Sequence, residues 1–154
     1  MSDAPMPIVT FNHPALTQVC TAVEPDEAVA FTASMVQALN GAAGGVGLGA
    51  SQIAVLKRAI VINPRGKKPR VLINPVITSH GDAQEAGPEG CLSYPGIDTD
   101  VKRWRVIEVT FEDLGRRPQR ETFKGFAARV VQHEIDHLNG ACPVGVAWRD
   151  GGRS

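Results

Sequence analysis

The sequence has no surplus of either charge, too few cysteines for a disulfide framework, and no lysine or arginine in its first 56 positions. Sixteen Lys and Arg balance 16 Asp and Glu, which argues against a dedicated nucleic-acid binder with its basic excess. Cys20, Cys91 and Cys142 cannot all pair and show no CxxC spacing, so a reduced, cytoplasmic setting is expected. The N-terminal segment lacks the basic start of a secretory signal and the arginines of a transit peptide. Positions 28–56 carry no charge and are long enough to cross a bilayer. Five glycines and the polar Gln37, Asn40, Ser51 and Gln52 interrupt them, so no membrane span is expected. The stretch reads instead as a helix, a glycine turn and a strand. With 43% apolar and 21% charged residues, neither disorder nor a coiled coil nor collagen fits. Residues 1–154 are expected to form a single domain that buries its own core.

Charge is spread unevenly along the chain. Residues 57–70 hold six bases and no acid. Their run RGKKPR lies between apolar AIVIN and VLINPVI and reads as the solvated loop of a hairpin. A first helix is expected from Pro25-Asp26-Glu27, where proline and acids suit a first turn. Val29, Met35, Val36 and Leu39 would be its core stripe and Asn40-Gly41 its stop. The runs VLKRAIVIN, VLINPVI and VIEVTF read as strands. The segment GFAARVVQHEIDHLNG at 125–140 places Phe126, Val130, Ile135 and Leu138 on one helical face and ends at Asn139-Gly140. The class is α+β.

Within that last helix, His133-Glu134-Ile135-Asp136-His137 is an HExxH sequence. Its i, i+4 spacing puts both imidazoles on one face, able to grip one metal ion, with Glu134 beside them as a general base. A catalytic metal site keeps three protein ligands and an open position for water, so a third ligand is needed. Pro143 stands where a metzincin would carry its third histidine, and Asp150 is the only carboxylate side chain beyond His137. His13 and His80 lie in loop-like contexts. Cys142 follows the helix stop in Asn-Gly-Ala-Cys-Pro, which is expected to carry the chain away from the histidines; it and Cys20 read as buried thiols. Cys91 is the better ligand, because the glycines and prolines of PEGCLSYPG at 88–96 make an irregular segment able to present a thiolate. A metal so held lowers the pKa of a bound water from about 15.7 to about 7. Gln52 is also unusual, a neutral polar residue amid Leu48, Ala50, Ile53 and Val55. Burying it without partners would cost roughly 1–3 kcal/mol, and a role as hydrogen-bond donor would explain it.

Three blocks resemble the peptide deformylase family. Gly45-Val46-Gly47-Leu48-Gly49-Ala50-Ser51-Gln52 is similar to its GxGxAAxQ turn and strand, Glu89 to Ser93 to its EGCLS, and Gln132 to Gly140 to its QHExDHLxG. Arg103 and Ala128-Arg129-Val130 look like the family too. The resemblance implies small, mostly antiparallel sheets packed around a central helix that bears HExxH. It implies a hydrolase that removes the formyl group from the N-terminal formyl-methionine of new polypeptides and releases formate. Cys91, His133 and His137 would be the metal ligands and Glu134 the base, with the Gln52 amide and Leu92 N–H as donors to the developing oxyanion. Gly45, Val46, Gly47, Glu89, Leu92 and Val130 would line the substrate site, where the peptide adds as a strand. The resemblance favours ferrous iron in the cell; the same soft sulfur and imidazoles also accept zinc, cobalt or nickel. Rival readings are a CysHis2 amidase acting on another N-acyl group and a metal-stabilised binding protein.

Two features depart from the family pattern. Gly49 stands where Ala is usual. Only 14 residues follow Gly140, whereas many members run on through an apolar strand into a C-terminal helix. A short form with no such docking helix is expected, so any ribosome contact would be made otherwise.

Overall fold

The computed structural model describes residues 6–66 and 68–151. In chain order the elements are α1 (Phe31–Asn40), β1 (Gly47–Gly49), β2 (Ala59–Ile62), β3 (Arg70–His80), β4 (Gln84–Cys91), β5 (Tyr94–Trp104), β6 (Val106–Glu112), β7 (Pro118–Lys124), α2 (Gly125–Leu138) and α3 (Pro143–Asp150). Short 3-10 turns lie at Pro14–Thr17 and Ala50–Ile53. An antiparallel sheet runs in the order β1-β2-β3-β6-β7, and β4 and β5 pair separately as a long hairpin. This is the expected α+β arrangement of small antiparallel sheets.

The unbroken AIVI of β2 is buried on both faces. Ala59 and Val61 join Met35, Leu39 and Leu48 on the α1 side, while Ile60 and Ile62 join Leu72, Ile107, Val131 and Leu138 under α2. A strand covered on both sides has no reason to alternate with polar residues. β6 does alternate, burying Ile107, Val109 and Phe111, as suits a strand with one solvated face. α2 therefore lies across the sheet through Ala128, Val130, Val131, Ile135 and Leu138, with its remaining buried side chains polar. The expected hairpin loop joins β2 to β3, whose pairing closes at Ile62 and Arg70; Lys67 falls outside the described residues. No helix among the described residues is long and apolar enough to cross a membrane.

Four expectations are corrected. α1 begins at Phe31 rather than at Pro25, because the Glu24–Glu27 segment is held as a turn from outside: Arg116 donates to the carbonyls of Val23, Glu24, Pro25 and Glu27. Phe126 is 54% exposed, standing in the first turn of α2 where it borders a cleft. The 88–96 segment lies within the β4–β5 hairpin rather than outside regular structure, with Cys91 ending β4 opposite Tyr94; the expected irregularity is confined to a register shift between Gly90 and Cys91. A helix does follow Gly140. Pro143 sits in the first turn of α3, Val144 is fully buried, and Gly145 lies so close to the Tyr94 ring that an added Cβ would come within 2.7 Å of it. Packing of this kind overrides the weak helix propensity of PVGVAWRD.

Candidate functional site

α2 carries His133 and His137 one turn apart, both buried, with ring centroids 5.1 Å apart. The end of β4 brings Cys91 to them, its Sγ 3.2 Å from His137 Nε2. Cys142, expected to point away, belongs to the same group: the donor atoms of Cys91, His133, His137 and Cys142 all lie within 4.8 Å of one another. The reason is the form of the helix stop. Gly140 has φ +68, its N–H donates to the His137 carbonyl, and the Ala141 N–H donates to that of Asp136. This 6→1 and 5→2 pairing folds the chain back over the helix end. Gly140 is needed twice, since an added Cβ would also lie 2.7 Å from the Thr17 carbonyl oxygen.

A buried ionic network positions the cluster. Glu89 Oε1 lies 2.8 Å from His133 Nδ1. The same carboxylate takes a two-pronged contact from Arg103 Nε and Nη2, at 2.9 and 2.8 Å, and a third from Arg129 Nη1 at 2.7 Å. Arg103 Nη1 continues to Asp136 Oδ2 at 2.6 Å. Burial alone would raise the Glu89 carboxyl, but the hydrogen bonds from Arg103 and His133 overcome it and hold the group down at about 2. An ionised Glu89 fixes the proton of His133 on Nδ1 and leaves Nε2 as the nitrogen available to an ion. Glu89, expected to contact substrate, does border the cleft, yet its carboxylate is turned inward and committed to these partners. The parts of Arg129 and Asp136 were missed from sequence. The signal for Asp136 was its place between two histidines that face the core, where a charge needs a partner.

The cleft beside the cluster has a volume of about 350 Å³. Gly44 to Gly47 form one wall, Pro88 to Leu92 the other, and Phe126, Arg129, Val130, His133 and Glu134 of α2 the floor. Gly45, Val46, Gly47, Glu89, Leu92 and Val130 thus meet around one space, with Gln52 and Cys91 also bordering it. Gly47 is there because nothing larger fits: an added Cβ would lie 2.8 Å from Glu134 Oε2 and 2.9 Å from Val130 Cγ1. Gly49 is similarly tight, with its Cβ position 3.1 Å from His137 Cβ, which accounts for glycine at the position where Ala was expected. Gln52 lies in the Ala50–Ile53 turn and is not without partners. Its Oε1 accepts from the Gly49 N–H at 2.9 Å, and its Nε2 donates to Ser93 Oγ at 3.1 Å and lies 3.7 Å from Cys91 Sγ.

The donor set fits a divalent ion. Glu134 Oε1 and His137 Nδ1 are buried without a hydrogen-bond partner, and burial pushes the Glu134 carboxyl up. Burial alone would lower His133, but the charge of Glu134 and the hydrogen bonds with Cys142 and Glu89 outweigh it and push the imidazole up to about 10. The Cys91 thiol is pushed well above its ordinary range, first by its hydrogen bond with Cys142 and then by burial. Surroundings that draw a proton to His133 equally draw a metal cation in its place. A profile of the polypeptide deformylase family matches residues 5–146.

The chain belongs to that family.

Deformylases of known sequence match about two thirds of it. The peptide deformylase of Synechocystis sp. is 44% identical over 102 residues, which cover 64% of this chain and 54% of that protein. That of Pelotomaculum thermopropionicum is 52% identical over 96 residues, covering 62% and 61%. The matched stretch therefore spans little more than half the length of these relatives. Solved deformylases overlap more fully. The one from Vibrio parahaemolyticus bacteriophage VP16T aligns with a TM-score of 0.83 at 40% identity, over 89% of this chain and 99% of that one. The one from Synechococcus elongatus aligns with 0.85 at 33%, over 100% and 91%. All three deformylase-like blocks of the sequence meet at the cleft: Gly45 to Gln52, Glu89 to Ser93, and the HExxH face of α2.

Proposed function

We propose that this chain hydrolyses the N-formyl group from the N-terminal formyl-methionine of newly made polypeptides, releasing formate. The observation that carries the reading is Glu134, a carboxylate with a buried, unpartnered Oε1 that lines a cleft next to Cys91, His133 and His137. A divalent ion held by those three residues would acidify a water and polarise the formyl oxygen. Ferrous iron is the ion favoured by family membership; zinc, nickel or cobalt suits the same donors.

The chain's own residues divide the remaining work. Glu134 takes the proton of the attacking water on its free carboxylate oxygen and returns it to the amine as the C–N bond breaks, giving formate and a free methionine amino group. A carboxyl raised by burial suits a group that must both accept and donate. Negative charge on the formyl oxygen meets the Leu92 N–H and the Gln52 amide. Ser93 and Gly49 hold that amide in place, and the hydrogen near Cys91, in the longer of its two Nε2 contacts, is the one available to the oxygen. β1 is an edge strand of its sheet, and the wall leading to it from Gly45 gives a peptide a backbone to pair with. Val46, Leu92 and Val130 offer the methionine side chain an apolar lining. The solved deformylase from Acinetobacter baumannii holds Met-Ala-Ser, and those from the phage and from S. elongatus hold actinonin.

The reading is tested by formate release from formyl-Met-Ala-Ser by metal-loaded, anaerobically prepared protein. Hydrolysis of the formyl peptide with none of acetyl-Met-Ala-Ser supports it. Equal or faster cleavage of the acetyl peptide would replace it with a broader N-acyl amidase.

A further inference from the structure

Cys142 has no part in the reaction just described, yet its sulfur sits within 4.8 Å of every donor atom of the proposed ligand set. A tetrahedral ion with sulfur and nitrogen ligands needs ligand-to-ligand edges of roughly 3.3–3.8 Å, so four donors no more than 4.8 Å apart close on one ion with shifts of about 1 Å or less. The side chain is 3% exposed and packs with Leu16, Tyr94 and Val144, not along the cleft walls. Cys142 thus approaches the cluster from the protein interior, leaving the cleft side to Glu134 and Gln52. Its backbone is held there by the Gly140 reversal before it and by α3 after it, for which it is the N-cap residue and to which its side chain donates no capping bond. A thiolate is favoured at a helix N-terminus.

We propose that Cys142 is a second thiolate ligand, so that the metal centre of this chain is Cys91–His133–His137–Cys142. The inference rests on the metal reading above and extends it. Two thiolates neutralise a divalent ion, which weakens its pull on a bound water and strengthens its retention. With four protein ligands the ion would have to take a water as a fifth ligand or release a sulfur, and turnover would be slower than at a three-ligand centre. The S2N2 set also favours tetrahedral, thiolate-preferring ions, zinc above iron.

The test is X-ray absorption at the metal edge of the reduced, unsubstituted protein loaded with zinc, joined to optical spectra of the cobalt-loaded protein and of C142S. Expected are two sulfurs and two nitrogens about the zinc. The sulfur-to-cobalt charge-transfer band of C142S should fall to about half. Chelator-competed zinc affinity should drop by about 100-fold or more, beyond the roughly 10–100-fold that follows loss of a partner outside the ligand set. One sulfur in the absorption fit, with an unchanged cobalt band in C142S, overturns the inference and leaves the three-ligand centre standing. An unsubstituted chain that retains no stoichiometric metal overturns the metal reading itself, and this inference with it. The absorption measurement needs no variant, so a C142S protein that fails to fold does not blunt the test.

Discussion

The histidines and the sulfurs reach the same point by different routes. His133 and His137 are placed by the register of a single helix, four residues apart, and need only α2 to form. Cys91 and Cys142 are 51 positions apart in sequence and are brought together by a hairpin tip and a helix reversal. One half of the cluster is local and rigid as soon as α2 folds; the other exists only once the β4–β5 hairpin and the turn at Gly140 have docked. Glu89 joins them, being on β4 two residues before Cys91 while its carboxylate orients His133. Damage on the helix side should therefore cost chemistry, and damage on the sulfur side should cost assembly.

The largest effect is expected on the helix side. Replacing Glu134 with Gln removes the proposed proton carrier without removing a proposed ligand, and kcat for formyl-Met-Ala-Ser should fall by about 10² to 10⁴ with metal content and thermal unfolding nearly unchanged. A variant with full turnover would move the general base elsewhere. Next comes the joint between the halves. Glu89→Ala takes the shared carboxylate from Arg103 and Arg129, leaving Asp136 as the carboxylate on Arg103 in a region where Arg103 is only 8% exposed, and removing one partner of a buried ion cluster costs about 3–5 kcal/mol. Urea unfolding measures it. Glu89→Gln keeps an acceptor for His133 and should cost less, so equal losses for the two would deny the carboxylate its bridging role.

The same division explains what could be read from the sequence. HExxH, the stop at Asn139-Gly140 and the strand character of β2 were visible because periodicity and spacing are local. Cys91 could be reached by eliminating other ligands, but not its position at the end of a strand. Cys142 was misplaced because Asn-Gly announces a reversal without saying where the chain goes next; that depends on Thr17 packing against Gly140 and Tyr94 against Gly145. The late start of α1 likewise depends on Arg116, about 90 positions distant. Gln52 looked unpartnered because its acceptor Ser93 is far away in sequence, though near in space.

Gly140→Ala strikes the sulfur half alone. It forces a side chain into φ +68 and against the Thr17 backbone, at a cost of roughly 1–3 kcal/mol. The helix and its histidines should survive by circular dichroism. If Cys142 ligates the ion, zinc affinity should weaken along with stability; if affinity holds while stability falls, the turn is structural only.

The smallest effect sets the scale for the others. Arg70 and Glu121 make a two-pronged contact at 2.9 and 2.7 Å between β3 and β7, much the same fork as Arg103 makes on Glu89, but with side chains 45% and 38% exposed. In water-facing surroundings the Coulomb gain is screened, and ordering two long side chains offsets most of what remains. A double-mutant cycle of Arg70→Ala and Glu121→Ala should give a coupling of about 0.2–1 kcal/mol that shrinks in high salt. A coupling as large as the loss in Glu89→Ala would mean that the fork itself, not its burial between the two halves, sets the energy, and Glu89 would then lose its special standing as the joint.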